Sequence, residues 1–290
     1  MITTERSTPL AASVDREAGW QAVLVGKGGA GKTILAALLA LCATREGERV
    51  LAVDADSEAD LAYRLGVPIE RAHSFVPLAR NIPYIDEKIP ASTDPARRPA
   101  HPLNPDVDDV FERFAIPVRD RLHLLVMGSL ETPVSGCRCP EHALITAILR
   151  YLAHRNRDAV IIDAGGIHPP EELFGVLFPH ALIITEPTFN SLRIAEQVTR
   201  QALDREVPHL HLVVNKIRTE RDVEKVKEFA TGLTCYEHVF SLPYEEGVQY
   251  ADPDVSGLLG RKTELMEEVW KLYRVLQATP MNQEQAEVSD

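Results

Sequence analysis

A chain of 290 residues with 45% hydrophobic and 26% charged residues has the ordinary globular mix and can bury a large core. Its formal charge of −12 is spread along the chain, which argues against nucleic acid and against an anionic membrane surface as partners, since both select a basic face. Four cysteines make no disulfide framework at this length and no apolar run is long enough to span a membrane, so a reducing cytoplasm is the expected setting.

Residues 1–18 are polar and carry acids, lack the apolar centre of a secretory signal, and are expected to form a frayed arm. Gln21–Val25 (QAVLV) reads as a buried strand, followed by a glycine turn and an apolar helix through ILAALLALCATREG. Arg49–Val53 is a second strand. The stretch Leu65–Pro105 holds eight of the twenty prolines and is expected to be an irregular, mostly surface insertion. His123–Met127 (HLLVM) is a strand, Glu141–His154 a helix and Ala159–Asp163 (AVIID) a strand. Strands Ala181–Thr185, Leu210–Val214 and Tyr236–Ser241 follow, separated by helices near Ser191–Arg205 and Glu220–Thr231. Helix Thr263–Gln277 carries Leu265, Val269, Leu272 and Leu276 on one stripe, read as core packing because Glu264, Glu267 and Glu268 do not suit a membrane-anchoring face. Residues 279–290 form a polar tail. This alternation predicts one α/β domain over 19–278, a mostly parallel central sheet with helices on both faces and its ligand at the carboxyl ends of the strands.

Gly26–Thr33 reads GKGGAGKT, between a strand and a helix, the context that a P-loop requires. Gly26, Gly28, Gly29, Ala30 and Gly31 permit tight curvature, so that successive N–H groups can face phosphate oxygens, and the helix adds the positive end of its dipole. Lys32 is expected to reach the β- and γ-phosphates of ATP, and the Thr33 hydroxyl to ligate Mg²⁺. Asp163, ending AVIID and followed by Gly165 and Gly166, is the candidate Walker B carboxylate for Mg²⁺, although such an acid could also merely cap the next element.

The early Lys27 narrows the class. With it, the loop resembles the deviant Walker A ATPases, the MinD/ParA/nitrogenase iron protein superfamily. The resemblance implies that Lys27 crosses a homodimer interface to the partner's nucleotide, where its work is electrostatic. It further implies that Asp56 orients the attacking water, that Asp54 supports the Mg²⁺ shell, and that Asn215 in VVNKIR reads the adenine. Ile34 and Pro243 are implied to lie beside the nucleotide. The plainer alternatives are an exposed turn lysine for Lys27 and a helix N-cap over Ser57–Leu65 for Asp56.

Cys137-Arg138-Cys139 offers two soft ligands one residue apart. One pair cannot fill a tetrahedral site, but two copies across a two-fold axis supply four thiolates. The alternative is a pair of small, half-buried loop residues. Cys42 and Cys235 read as structural, and His142 as a possible neighbour of the CxC pair.

NPDVDDVFERF (Asn104–Phe114), LLVMGSL (Leu124–Leu130), GCRCPEHAL (Gly136–Leu144), VVNKIR (Val213–Arg218) and FSLPYEEGVQYAD (Phe240–Asp252) together resemble the CooC family, the nickel-insertion accessory ATPases of carbon monoxide dehydrogenase. The resemblance runs from about Gln21 to Arg274. It implies an ATP-dependent dimer that holds one metal ion, nickel or zinc, between its CxC pairs and serves a client metalloenzyme resembling CO dehydrogenase. Two segments depart from the family pattern. DAGGIHPPEEL stands where that family usually carries Ala-Gly-x-Glu-His, and Ser57 stands where a proline is common. The other readings weighed are a reductase carrying an intersubunit cluster and a positioning ATPase.

Overall fold

The computed structural model describes residues 19–56, 58–89, 105–128, 139–154, 157–165, 178–231 and 235–279, with side chains omitted at 139–142 and 230–231. The expected amino-terminal arm and the tail from residue 280 lie outside the described residues.

The described strands are β1 (Gln21–Gly26), β2 (Val50–Asp54), β3 (Ile116–Arg119), β4 (Leu122–Val126), β5 (Ala159–Asp163), β6 (His180–Thr185), β7 (His209–Ile217) and β8 (His238–Pro243). They form one sheet in the order β3-β4-β2-β5-β1-β6-β7-β8. Every neighbouring pair is parallel except β3 with β4. The antiparallel β3 is absent from the sequence reading. Its IPVR sequence carries Pro117, and proline is confined to sheet edges because it cannot donate to the ladder.

Helices cover both faces. On one side lie α1 (Lys32–Arg45) and α10 (Glu264–Ala278). On the other lie α4 (Ile82–Lys88), α5 (Val110–Phe114), α6 (Cys139–Ala153) and α7 (Phe189–Asp204). The strands serve both cores by alternation. Leu24, Ala52 and Ile161 join the α1 side, while Val23, Val25, Val53 and Ile162 join the other. Leu35 through Ala43 of α1 are buried without a break, as a helix wedged between sheet and neighbouring helices requires. The α10 stripe Leu265, Val269, Leu272 and Leu276 is buried, so this helix packs as core.

The described part of the proline-rich stretch is mostly surface, as expected, but more regular than expected. It holds α2 (Leu61–Arg64), α3 (Ile69–Ala72), a 3-10 turn at Leu78–Arg80 and α4. Leu78, Tyr84, Ile85 and Ile89 enter the second core. The prolines start these turns rather than break them. Pro68 and Pro77 occupy N-cap positions and Pro83 sits in the first turn of α4, where a missing N–H costs nothing. Between α7 and β8 lies α8 (Glu220–Thr231), and α9 (Glu246–Tyr250) follows β8. Among the described residues no helix is long and apolar enough to cross a membrane.

Candidate nucleotide site

The carboxyl ends of β2, β5 and β1 are adjacent in that order in the middle of the sheet, and the glycine loop leaves β1 beside β5. The loop is held closed by its own lysine. Lys32 is 5% exposed, and its Nζ donates to the carbonyls of Gly26 at 3.2 Å and Lys27 at 3.3 Å. Burial lowers its pKa against the pull of Asp163 and Asp56. Helix α1 then begins with no side-chain cap and no acidic residue in its first turn. Its first N–H groups are thus left without side-chain acceptors, which suits a bound anion.

Three carboxylates face this loop from two strands. Asp54 and Asp163 are register partners, and the Ala55 N–H donates to the Asp163 carbonyl at 2.9 Å. Asp54 is fully buried. It accepts from the Leu61 N–H at 2.9 Å and the Asp56 N–H at 3.2 Å, and burial, then the Asp163 charge, pushes its pKa up to about 8. Asp163 is also fully buried, and burial raises it to about 6. The Thr33 hydroxyl and the Lys32 ammonium oppose that rise, yet neither Asp163 oxygen closes a hydrogen bond of ordinary length. A buried carboxylate with two unpartnered oxygens near a threonine hydroxyl is a donor set that fits a hard divalent cation such as Mg²⁺.

Asp56 leans over Gly165. A Cβ at residue 165 would stand 2.3 Å from the Asp56 Cγ, so only glycine permits this approach. Asp56 Oδ1 also accepts from the Glu58 N–H at 3.2 Å. The helix after β2 starts only at Leu61, with Asp60 at its N-cap, so the capping alternative for Asp56 is corrected. Lys27 is half-buried at the rim of the loop, and its ammonium closes no ion pair among the described residues.

Beside the loop opens a cleft of about 240 Å³ lined by Ile34, Leu38, Asn215, Pro243, Val248 and Val269 among others. Apolar walls with the Asn215 and Gln249 amides among them suit a purine base. Asn215 is already committed in part. Its Nδ2 donates to the Ala30 carbonyl at 2.8 Å and its Oδ1 accepts from the Lys216 N–H at 2.9 Å, leaving one donor and one lone pair. Gly31 makes room for it. At φ 99° it is in a left-handed region, and a Cβ there would lie 2.3 Å from Asn215 Nδ2. The sequence reading notes Lys216 only as the neighbour of Asn215, without a contact of its own, and misses Glu186. Lys216, also left-handed at φ 62°, donates to the Gly29 carbonyl at 2.7 Å and pairs with the Glu186 carboxylate. The signal that could have found Glu186 is its place directly after β6, at the same carboxyl edge as the loop.

Of the remaining candidates, Cys137 and the segment 166–177 lie outside the described residues. Cys139 opens α6, with its side chain and that of His142 not described. Cys42 is buried in α1, and burial pushes its thiol up to about 12, which makes it inert. Burial likewise raises the half-buried Cys235.

Fold and loop together define a P-loop nucleotide-binding protein with a second, early lysine. Residues 22–252 match the CobQ/CobB/MinD/ParA nucleotide binding domain. The carbon monoxide dehydrogenase accessory protein CooC of Rhodospirillum rubrum is 34% identical over 234 residues, covering 79% of this chain and 85% of that one. The chain belongs to the CobQ/CobB/MinD/ParA nucleotide-binding family and, within it, to the CooC family. An uncharacterised ATP-binding protein of Methanocaldococcus jannaschii is 33% identical over 227 residues, 78% of this chain and 85% of that one. Among solved structures, the MinD cell division protein of Aquifex aeolicus superposes with a TM-score of 0.63 over 91% of this chain and 99% of its own. At 20% identity it speaks for the fold alone.

Proposed function

We propose that this protein is an ATP-hydrolysing, nucleotide-switched homodimer that carries a metal ion, nickel or zinc, between the Cys137 and Cys139 thiolates of two copies and assists its insertion into a metalloenzyme resembling CO dehydrogenase. The observation that carries this reading is the 34% identity with an accessory protein of that enzyme across most of both chains. The setting proposed for it is the cytoplasm.

In this reading the glycine loop and the α1 amino terminus hold the phosphates, Lys32 touches the β- and γ-phosphates, and Asn215, Ile34 and Pro243 hold the base. Thr33 and Asp163, supported by Asp54, would hold Mg²⁺, and the ion would supply neutralisation of charge on the phosphate oxygens. Asp56 orients a water that bonds to the γ-phosphorus as the bond to the bridging oxygen of ADP breaks. Lys27 of each copy stabilises the charge that develops in the partner's site. Hydrolysis ends the preference for the closed dimer, and the metal site between the copies opens with it.

Metal analysis of anaerobically purified protein tests the reading. About one ion per dimer is expected, the ratio of a shared four-thiolate site, and replacing both cysteines by Ser should abolish it while leaving ATP affinity intact. A cluster absorption spectrum in place of a single ion would favour a reductase instead. Undiminished thiolate-bound metal in the double variant would remove the metallochaperone reading.

A further inference from the structure

At the amino ends of β6, β7 and β8, the sheet edge opposite the phosphate loop, four imidazoles stand in a row. Ring centroids lie 4.9 Å apart for His180 and His209, 5.2 Å for His180 and His211, and 5.4 Å for His211 and His238. The strand registers place His180 beside His209 and His211 beside His238. No step of nucleotide binding uses them.

Hydrogen bonding sets their tautomers. Both His180 and His211 are fully buried, which favours the neutral ring. The Thr279 carbonyl can only accept, so His180 Nε2, at 3.2 Å, carries the proton. His180 Nδ1 therefore offers a lone pair, and His211 Nε2 donates to it at 3.0 Å. What remains on His211 is the lone pair of Nδ1. The side chain is fully buried and that nitrogen has no hydrogen-bond partner.

Two surface side chains converge on this ring. A His211 ring nitrogen, a Glu237 carboxylate oxygen and a His238 ring nitrogen all lie within 4.8 Å of one another, with Glu237 and His238 exposed. His209 Nδ1 stands 2.7 Å from one Glu237 oxygen and aims the carboxylate. Ligand atoms around a tetrahedral ion with bonds of about 2.0–2.1 Å are about 3.3 Å apart, a gap that rotation of two exposed side chains closes around one fixed imidazole.

We propose that His211, Glu237 and His238 form a binding site for a borderline divalent transition metal, Zn²⁺ or Ni²⁺, with water completing the coordination. Two imidazoles and one carboxylate without a thiolate suit these ions and not Mg²⁺, which prefers an octahedron of oxygens. The chain from Thr279 through His180 to His211 is the outer hydrogen-bonding that orients metal-bound histidines in general. The site uses neither Cys137 nor Cys139 and does not depend on their role.

The test uses the full chain with both of those cysteines replaced by Ser, stripped of metal and dialysed against micromolar Zn²⁺ in excess Mg²⁺. About one Zn²⁺ per chain is expected. His238→Ala and Glu237→Gln, both at exposed positions, should each weaken binding by about tenfold or more without changing the melting curve of the metal-free protein. His154→Ala, at an exposed histidine elsewhere, should bind as the parent does. A chain lacking Cys137 and Cys139 that takes up no Zn²⁺, or parent-like binding in both His238→Ala and Glu237→Gln, overturns the proposal.

Discussion

Asp54 and Asp163 stand side by side, in register at the carboxyl ends of β2 and β5, both fully buried. Burial raises both, to about 8 and about 6, with the Asp163 charge adding to the shift at Asp54. Each folded value lies above the unfolded value of about 4, so the folded chain keeps protons that the unfolded chain has released. The stability this gives is whole below about pH 4 and is lost as pH rises towards 8. In EDTA, Asp163→Asn should therefore melt above the parent at pH 8, with the difference shrinking towards pH 5. In Mg-ATP the order should reverse, because only the parent gains the cation. A variant that melts below the parent in EDTA at pH 8 would contradict this account.

The two loop lysines should fail differently. Lys32→Ala removes the buried ammonium that binds the Gly26 and Lys27 carbonyls, so nucleotide affinity itself should drop. Lys27→Ala should keep most affinity and lose on the order of 10²–10³ in kcat, the usual effect of deleting one transition-state donor. Equal losses of affinity in the two variants would refute the assignment of Lys27 to the partner's site.

Asp56→Ala should bind ATP, hydrolyse it slowly and remain dimeric in Mg-ATP on size-exclusion chromatography, since an unrelaxed ATP state keeps pulling association. Gly165→Ala offers an independent route to the same defect. Its Cβ would meet the Asp56 carboxylate at 2.3 Å and displace it without removing it. Wild-type turnover in both variants would exclude Asp56 as the group that positions water.

Asn215→Ala breaks the bond to the Ala30 carbonyl and empties the contact with Gly31. Losing one such hydrogen bond costs about 1 kcal/mol, so nucleotide affinity should fall by roughly five- to tenfold. Calorimetric titration reads this directly, and an unchanged Kd would show that Asn215 serves the loop's shape but not the bound state.

Much of the fold is legible in the sequence because its signals are local. QAVLV before GKGGAGKT and an unbroken apolar run after it specify strand, turn and helix within about twenty-five consecutive residues. The α10 stripe is equally local, for four leucine and valine positions at helical spacing need only one apolar surface to meet. The described part of Leu65–Pro105 is mostly surface, as expected, but less irregular than its proline content suggests. Proline position decides whether it breaks a helix or starts one, and the described part of this stretch uses it to start turns that bury Leu78 and Tyr84.

By itself, then, the sequence determined an α/β alternation, a phosphate loop with two lysines and its membership of a family. Only the tertiary structure decided which acids and imidazoles share an environment. Asp54 and Asp163 are more than a hundred residues apart, and they meet because β2 and β5 are neighbours in a sheet whose order is not the chain order. Lys216 finds Glu186, and His180 finds His211, because β6 and β7 pair in parallel and bring their equivalent ends together. Burial, charge repulsion and tautomer are properties of neighbours in space, and no periodicity along the chain carries them.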